Sequence, residues 1–233
     1  MLVGVFDSGK GGQIVAERLQ KFFPQHEFLV VNDRENLPYG DKTTAEILRL
    51  TDAAIQPLLT QTKIIIIACN TVTAVAIDDL RAKYPDHKFI GFEPAIKPAV
   101  SDSKVEKIMV LATPATLRSN KYQNLKQRVA SGVTVIEPDC STWASKIENG
   151  QFSNQDLEPI VALANEEQVD EIVLGCTHYL DVEQELRNTL PPTVKIVEPV
   201  AAVARRLEAV INELKQDSSA SLSAVSTAQA GSE

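Results

Sequence analysis

Short, wholly apolar segments alternate with longer amphipathic ones along most of this 233-residue chain. Runs such as residues 64–67, four consecutive isoleucines, lack the polar alternation of half-exposed strands, which is typical of strands buried on both faces of a parallel sheet. Strands and helices in strict alternation predict an α/β fold with its chemistry at the carboxyl ends of the strands. The predicted strands are 2–6, 27–31, 63–68, 88–92, 107–112, 133–136, 171–175 and 194–197, and the predicted helices are 11–23, 43–60, 71–84, 115–129, 156–167, 180–190 and 199–215.

Composition narrows the class of protein. Hydrophobic residues make up 44% of the chain, enough for one large core or two small ones, and the net charge is −8. No Lys/Arg-rich run is present to follow a phosphate backbone, so the sequence predicts an acidic soluble protein that does not bind nucleic acid. The chain enters a strand-like run, residues 2–6, almost at once, so neither a signal peptide nor a membrane span is expected.

An internal repeat relates the two halves of the chain. Cys69 and Cys176 each directly follow a predicted buried strand, and they stand 107 positions apart. A threonine follows each of them closely, at positions 71 and 177. Nearly the same offset pairs Asp7 with Thr113, Asp33 with Asp139, and Glu93-Pro94 with Glu198-Pro199. Two similar lobes are therefore expected, each a mostly parallel sheet flanked by helices, related by a pseudo-twofold axis with the active site in the cleft between them. The predicted divisions are 1–95 with the helix 200–215, then 96–199, and a Ser/Ala-rich tail at 216–233 that is expected to be disordered.

The three cysteines are an odd number in a cytosol-like composition, which favours free thiols over disulfides. A cysteine that ends a buried strand is usually a small apolar side chain and nothing more. Two such cysteines at equivalent points of a repeat, Cys69 and Cys176, instead predict a pair of acid–base groups on opposite sides of a cleft. One base on each face inverts an acidic carbon centre without a metal or redox cofactor, and a cysteine thiol suits the task when its pKa is tuned.

The remaining cysteine and the three histidines divide into one chemical candidate and three structural residues. His178 stands two positions after Cys176, where it is able to tune the thiol or carry its proton. Cys140 lies away from any equivalent strand end and is interpreted as a packing residue. His26 and His87 lie in polar segments between elements and are interpreted as surface residues.

A glycine-rich turn, residues 7–12 (Asp-Ser-Gly-Lys-Gly-Gly), follows the first predicted strand. Its glycines allow backbone N–H groups to approach a ligand carboxylate or phosphate. A nucleotide-binding P-loop is not supported, because Gly11 stands where that motif needs Ser or Thr and Asp7 repels phosphate. The spacing 9, 11, 12 also fails the dinucleotide fingerprint. Asp7 either caps the following helix or faces an ammonium group of the substrate.

In combination these motifs resemble the glutamate racemases of the aspartate/glutamate racemase superfamily over most of residues 2–200. The order and spacing of the motifs carry the resemblance, since each is weak alone. Lys10 and the polar segment 139–148, with the chain's single Trp, depart from the family pattern. The matching motifs are Val5-Phe6-Asp7-Ser8-Gly9, Asp33 before Pro38-Tyr39-Gly40, Ala68-Cys69-Asn70-Thr71, Glu93-Pro94-Ala95, Leu111-Ala112-Thr113-Pro114-Ala115-Thr116, and Leu174-Gly175-Cys176-Thr177-His178-Tyr179.

The resemblance implies roles for individual residues. Cys69 would act on the D-enantiomer of the amino acid and Cys176 on the L-enantiomer. Asp7 and His178 would assist these thiols, with Asp33 and Glu148 as more distant catalytic contributors. The residues implied to bind substrate are Asp7, Ser8, Tyr39, Gly40, Asn70, Thr71, Thr113, Thr116, Thr177 and His178.

The resemblance also implies an isomerase that needs no cofactor, holds no metal, and supplies D-glutamate for peptidoglycan in the bacterial cytoplasm, commonly as a homodimer. Two alternatives stay open and a third is excluded. The same fold and thiols serve a racemase for aspartate or another α-acidic carboxylate. An idle cleft serves a protein that only binds acidic amino acids. A dithiol redox role requires the two thiols to approach disulfide distance, which a cleft wide enough for substrate prevents.

Overall fold

A computed structural model describes the backbone of residues 1–230 and the side chains of residues 1–216. Two parallel four-stranded sheets form its centre, with strand orders β2-β1-β3-β4 and β6-β5-β7-β8. Each strand of the first sheet has its counterpart at the same place in the second, so the predicted α/β fold with two similar lobes is confirmed. The strands are β1 (Leu2–Asp7), β2 (Glu27–Asn32), β3 (Ile64–Ile67), β4 (Lys88–Gly91), β5 (Lys107–Ala112), β6 (Thr134–Ile136), β7 (Glu171–Gly175) and β8 (Lys195–Val197).

Helices cover both faces of each sheet, as parallel strands buried on both sides require. Three short 3-10 segments, Arg34–Asn36, Tyr39–Asp41 and Thr177–Leu180, lie near the carboxyl ends of the strands. The helices are α1 (Gly11–Phe22), α2 (Thr44–Ala54), α3 (Gln56–Gln61), α4 (Asn70–Val75), α5 (Ile77–Lys83), α6 (Ile96–Asp102), α7 (Pro114–Arg118), α8 (Asn120–Val129), α9 (Trp143–Glu148), α10 (Asn154–Glu167), α11 (Glu183–Thr189) and α12 (Val200–Ala230).

Three predicted helices are each divided in two. The helix predicted at 43–60 breaks at Ile55, two residues before Pro57 in the first turn of α3. The helix at 71–84 breaks at Ala76, whose φ of −132° is not helical. The helix at 115–129 breaks at Ser119, which is extended and accepts a hydrogen bond from the Tyr122 N–H as the cap of α8. The two halves of each divided helix cover the same sheet, so the hydrophobic periodicity continues through the break. The periodicity therefore predicted a single helix in each case.

Two short helices were not predicted. The helix α6 contains Pro98, and a proline within a segment usually indicates that the segment is not helical. The helix α9 has only six residues. Each nevertheless buries apolar side chains, Ile96 and Ala99 in α6 and Trp143 and Ile147 in α9. Burial against the second lobe therefore outweighs a weak local preference.

The last helix, α12, packs against α1 and β4 of the first lobe. Composition predicted a disordered tail at 216–233, and the structure instead continues the helix through Ala230. The physical reason is that this stretch is rich in alanine and contains no Gly or Pro before Gly231. Residues 231–233 of the predicted tail lie outside the described residues. Within the described chain, no helix is long and apolar enough to cross a membrane.

The carboxyl ends of the two central strand pairs face each other across the junction of the lobes. Apolar side chains of both sheets, including Val3, Ile64, Met109 and Leu174, belong to one continuous core beneath this junction. Separate clusters fill the outer faces of each lobe. The shared core fixes the relative position of the strand ends, and so of the polar residues that follow them.

Candidate active site

Cys69 and Cys176 both line a cavity between the lobes, each just after a buried central strand. The space among its lining atoms, including the part that is open to solvent, amounts to about 450 Å³. Both side chains are nearly buried, at 5% and 7% exposure. Other predicted site residues that line the cavity are Ser8, Tyr39, Gly40, Asn70, Thr71, Thr113, Thr177 and His178.

Each thiol has its own polar neighbour. The Cys69 Sγ lies 3.3 Å from the Ser8 Oγ, and the Cys176 Sγ lies 3.8 Å from the His178 Nδ1. Burial, reinforced by the charge of Asp7, raises the pKa of the Cys69 thiol to about 11. Burial likewise raises the pKa of Cys176 well above the usual thiol value. Both thiols are therefore protonated near neutral pH, and a base must remove one proton before either sulfur acts as a thiolate.

His178 connects Cys176 to a buried carboxylate. Its Nε2 lies 2.8 Å from the Glu148 Oε2, so the carboxylate assigns the proton to Nε2 and leaves Nδ1 to accept from the Cys176 thiol. Glu148 also accepts hydrogen bonds from the Lys10 backbone N–H, at 3.0 Å, and from the Arg34 Nε, at 2.5 Å. Burial acts to raise the pKa of Glu148, but the hydrogen bonds from Lys10, His178 and Arg34 outweigh it, and the pKa lies below the usual carboxyl value.

Asp7 lies directly behind the cavity and does not line it. Its Oδ2 accepts a hydrogen bond from the Gly9 N–H and its Oδ1 accepts one from the Thr177 hydroxyl of the other lobe, both at 2.9 Å. The side chain is completely buried, and this burial raises its pKa. The carboxylate thus joins the two lobes beneath the thiols and places a second proton-binding group near Cys69.

The glycines of the turn at residues 7–12 allow the two lobes to pack closely against each other, rather than allowing a ligand to reach the backbone. A Cβ on Gly9 would overlap the His178 ring and lie 2.8 Å from the Glu148 Oε2, and one on Gly11 would lie 2.5 Å from the Thr177 Oγ1. Neither glycine lines the cavity. Their lack of a side chain lets the first lobe contact Thr177 and His178 of the second.

Asp33 holds the segment that follows β2. The Tyr39 hydroxyl donates to its Oδ2 at 2.6 Å, and the Asn36 side-chain amide donates to both of its oxygens. Its described hydrogen bonds reach neither thiol. Asp33 therefore shapes the wall of the cavity that carries Tyr39 and Gly40, which is an indirect contribution to the site.

A chain of hydroxyl groups crosses from one lobe to the other. The Thr71 and Thr113 Oγ1 atoms lie 3.0 Å apart, and the Thr113 and Thr116 Oγ1 atoms also lie 3.0 Å apart. Thr116 is fully buried behind Thr113 and does not line the cavity. Asn70 donates to the Phe92 carbonyl, while its Oδ1 has no hydrogen-bond partner among the described residues. This oxygen is a buried acceptor on a residue that lines the cavity.

The departures from the expected pattern have structural roles. The Lys10 ammonium forms an interlobe ion pair with Asp181. Trp143 packs edge-on against Tyr179, with ring centroids 5.3 Å apart. Cys140 is buried in the core, and its carbonyl accepts a hydrogen bond from the Tyr179 hydroxyl at 3.0 Å, which fits the packing role predicted for it.

Sequence reasoning did not find Arg34, nor Ser141 and Ala144 at the cavity wall. None of the three belongs to a motif or to the repeat, so no sequence signal marks them. All three cysteines are free thiols in the described chain. Within the same residues, no three His, Cys, Asp or Glu side chains converge to hold a metal ion.

Two buried thiols that line one interlobe cavity, with Asp7 and His178 nearby, form a site suited to acid–base chemistry on a small polar molecule. A family model described as Asp/Glu/Hydantoin racemase matches residues 13–207. The chain belongs to this family.

Its relatives are glutamate racemases. The glutamate racemase of Clostridium novyi is 37% identical over 203 residues, which cover 85% of this chain and 78% of that protein. The Escherichia coli glutamate racemase structure, in complex with L-glutamate and the activator UDP-MurNAc-Ala, superposes with a TM-score of 0.80 at 28% identity, covering 89% of this chain and 80% of that one. The Francisella tularensis glutamate racemase in complex with D-glutamate gives 0.76 at 29% identity, with 91% and 81% covered. These likenesses confirm the resemblance drawn from the sequence and the assignment to the racemase class of isomerases.

Proposed function

We propose that this chain interconverts L- and D-glutamate by transferring the α-proton through Cys69 and Cys176. The observation that carries the proposal is the placement of both thiols at equivalent strand ends on one interlobe cavity. Relatives that are 37–38% identical over 85–91% of the chain are glutamate racemases, and this supports glutamate as the substrate.

The reaction needs one thiolate and one thiol on opposite faces of the substrate. A lone pair of the thiolate forms an S–H bond to the α-proton, and the electron pair of the broken Cα–H bond stays on the substrate as a carbanion delocalised into the α-carboxylate. The opposite thiol then delivers its proton to the other face, which inverts the centre and leaves the two sulfurs with exchanged protonation states. By family likeness, Cys69 acts on the D-enantiomer and Cys176 on the L-enantiomer.

The neighbours of the thiols provide the proton acceptors. His178 takes the Cys176 proton at Nδ1, and the imidazolium formed is stabilised by Glu148 at Nε2. Asp7 is the corresponding group near Cys69, although its carboxylate makes its hydrogen bonds to Gly9 and Thr177. The ammonium group of the bound substrate favours the thiolate form further, because an opposite charge nearby lowers a thiol pKa.

Neutral donors hold the substrate carboxylates. The residues that line the cavity include no lysine or arginine, while the hydroxyl groups of Ser8, Thr71 and Thr113 are present; the Thr177 hydroxyl already donates to Asp7. Hydrogen bonds from such groups to a carboxylate are charge-assisted and are stronger in a site from which water is excluded. The same wall includes Tyr39 and Gly40. It is supported from behind by Asp33, which accepts from Tyr39, and by Thr116, which contacts Thr113.

In the cell the product D-glutamate would supply peptidoglycan synthesis in the bacterial cytoplasm, and the working assembly would be a homodimer. Family likeness supports both parts of this assignment. Sedimentation of the purified chain tests the assembly separately from the chemistry.

A substrate panel tests the proposed reaction. L- and D-glutamate, L- and D-aspartate and a hydantoin are each incubated with the purified chain, and the enantiomers are separated by chiral chromatography. We expect both glutamate enantiomers to reach an equimolar mixture, with aspartate slower by about 10-fold or more, since one missing methylene alters the fit of the distal carboxylate. Faster turnover of aspartate or of the hydantoin would reassign the substrate, and tight glutamate binding without turnover would establish a binding protein.

Gly9→Ala is expected to lower kcat by about 10²-fold, because the new methyl group displaces His178 from its position against Glu148 and Cys176. The matched control is Gly132→Ala, at a turn where the backbone has a φ of +84° and no other atom lies near the added Cβ. That control loses about 1 kcal/mol of unfolding free energy and keeps its kcat. Steady-state kinetics and thermal unfolding of both variants check the expectation, which is wrong if Gly9→Ala turns over at the wild-type rate.

A further inference from the structure

Arg34 reaches from the first lobe to the second, where it binds Glu148. It follows Asp33 in the segment between β2 and α2, and its Nε donates to the Glu148 Oε1 at 2.5 Å. The Arg34 side chain is 62% exposed, whereas that of Glu148 is 8% exposed. The guanidinium is therefore largely exposed to solvent, while the carboxylate that it binds is buried.

The two oxygens of Glu148 divide their partners. The Oε2 accepts from the His178 Nε2 at 2.8 Å and from the Lys10 N–H at 3.0 Å, and the Oε1 accepts from Arg34. Arg34 thus fixes the rotation of the carboxylate plane about its terminal bond. That rotation in turn sets the direction of the imidazole, whose Nδ1 lies 3.8 Å from the Cys176 Sγ.

We propose that Arg34 is a positioning residue for racemisation: by binding the outer oxygen of Glu148 it holds His178 in line with the Cys176 thiol and keeps the segment 33–41 closed against α9. The inference rests on the proposed function, since it assigns Arg34 to the thiol that acts on one face of the substrate. The segment 33–41 carries Tyr39 and Gly40, so the same ion pair also closes one wall of the cavity.

The charged groups around Glu148 set the sign of its pH dependence. The cationic groups that face it are the Arg34 guanidinium and, when protonated, His178, and the nearby anionic group is Asp7, whose own pKa is raised in part by Glu148. Lys10 contributes its backbone N–H, while its ammonium pairs with Asp181. Removal of Arg34 leaves burial and Asp7 to act against the ionised form. The pKa of Glu148 must then rise, and activity that depends on the ionised carboxylate is lost at a higher pH on the acid side.

The test compares Arg34→Ala and Arg34→Lys with the control Arg128→Ala, an exposed arginine on α8. For Arg34→Ala we expect kcat to fall by about 10-fold at neutral pH and the acid limb of the kcat profile to move to higher pH. Arg34→Lys retains the positive charge without the planar fork, so its acid limb stays close to that of the wild type while kcat lies in between. Arg128→Ala keeps the wild-type kcat and profile. An Arg34→Ala enzyme with the wild-type acid limb and kcat would overturn the proposal.

A double-mutant cycle separates positioning from a general loss of stability. In a Glu148→Gln enzyme, Arg34 has no carboxylate to orient, so adding Arg34→Ala should lower kcat no further. Full additivity of the two losses would contradict the proposed coupling. The wild-type enzyme is measured first in the same assay. Absence of glutamate racemisation there defeats the proposed function, whereas an active wild type with an indifferent Arg34→Ala variant defeats only the role of Arg34.

Discussion

Replacement of either Cys69 or Cys176 by serine is expected to lower kcat for glutamate racemisation by about 10³-fold or more. A serine hydroxyl is a far weaker acid than a thiol, so it does not become an alkoxide at neutral pH and cannot remove the α-proton. It also fails as the donor that completes the reaction on the opposite face. Because L- and D-glutamate have equal free energies, kcat/KM falls equally in both directions for each variant. Chiral chromatography of the reaction from each enantiomer measures the effect.

Cys140→Ala is the matched control for the two serine variants. Cys140 is buried in the core of the second lobe and does not line the cavity. Its replacement by alanine removes one buried sulfur, which costs about 1 kcal/mol of unfolding free energy and leaves kcat unchanged. Near wild-type turnover by Cys69→Ser or Cys176→Ser would show that the reaction does not use two thiols.

His178→Asn is expected to lower kcat by about 10²-fold to 10³-fold. The thiol of Cys176 is buried, and burial raises its pKa well above the usual value, so it depends on a neighbouring base to ionise near neutral pH. An asparagine side chain retains polarity and part of the hydrogen bonding to Glu148 but does not accept the thiol proton. The loss should shrink as the pH is raised, because hydroxide then removes the thiol proton directly.

The pH profile of the His178→Asn variant checks this role. Wild-type and variant kcat are compared from neutral pH upward, with thermal unfolding measured at each pH to confirm that both remain folded. Glu148→Gln serves as the comparison, since it keeps His178 as a base and removes only the carboxylate that stabilises its cation. A variant whose loss is the same at every pH would assign His178 a purely structural role.

The sequence predicted the structure best where a single physical requirement determined the type of residue at each position. Strands buried on both faces must be apolar throughout, and so runs such as residues 64–67 marked the strands to within a residue or two. The repeat related the two lobes, and strand ends at one junction placed Cys69 and Cys176 on one cavity. The helix breaks at Ile55, Ala76 and Ser119 did not show in the hydrophobic pattern, because both halves of each helix cover the same sheet.

Contacts between distant segments lay beyond the sequence pattern. Arg34 and Glu148 are 114 residues apart, in the segments that follow β2 and β6, and these two segments form different short helices. The polar character of 139–148 follows from its place at the rim, where Glu148 binds Arg34 and His178. The ion pair between Lys10 and Asp181 likewise joins residues of the two lobes. Such pairs depend on how the two lobes face each other, and the secondary-structure propensity of each segment does not predict that arrangement.

Early-time hydrogen exchange in D₂O tests the two-thiol account most directly. The enzyme is incubated with L-glutamate in D₂O, and both enantiomers are separated within the first few per cent of conversion and analysed by mass spectrometry; the experiment is repeated from D-glutamate. If one thiol removes the proton and the other supplies its replacement, the product carries solvent deuterium at Cα while the recovered substrate retains protium. Deuterium appearing equally in substrate and product from the start would indicate a single base that serves both faces, and would contradict the assignment of Cys69 and Cys176.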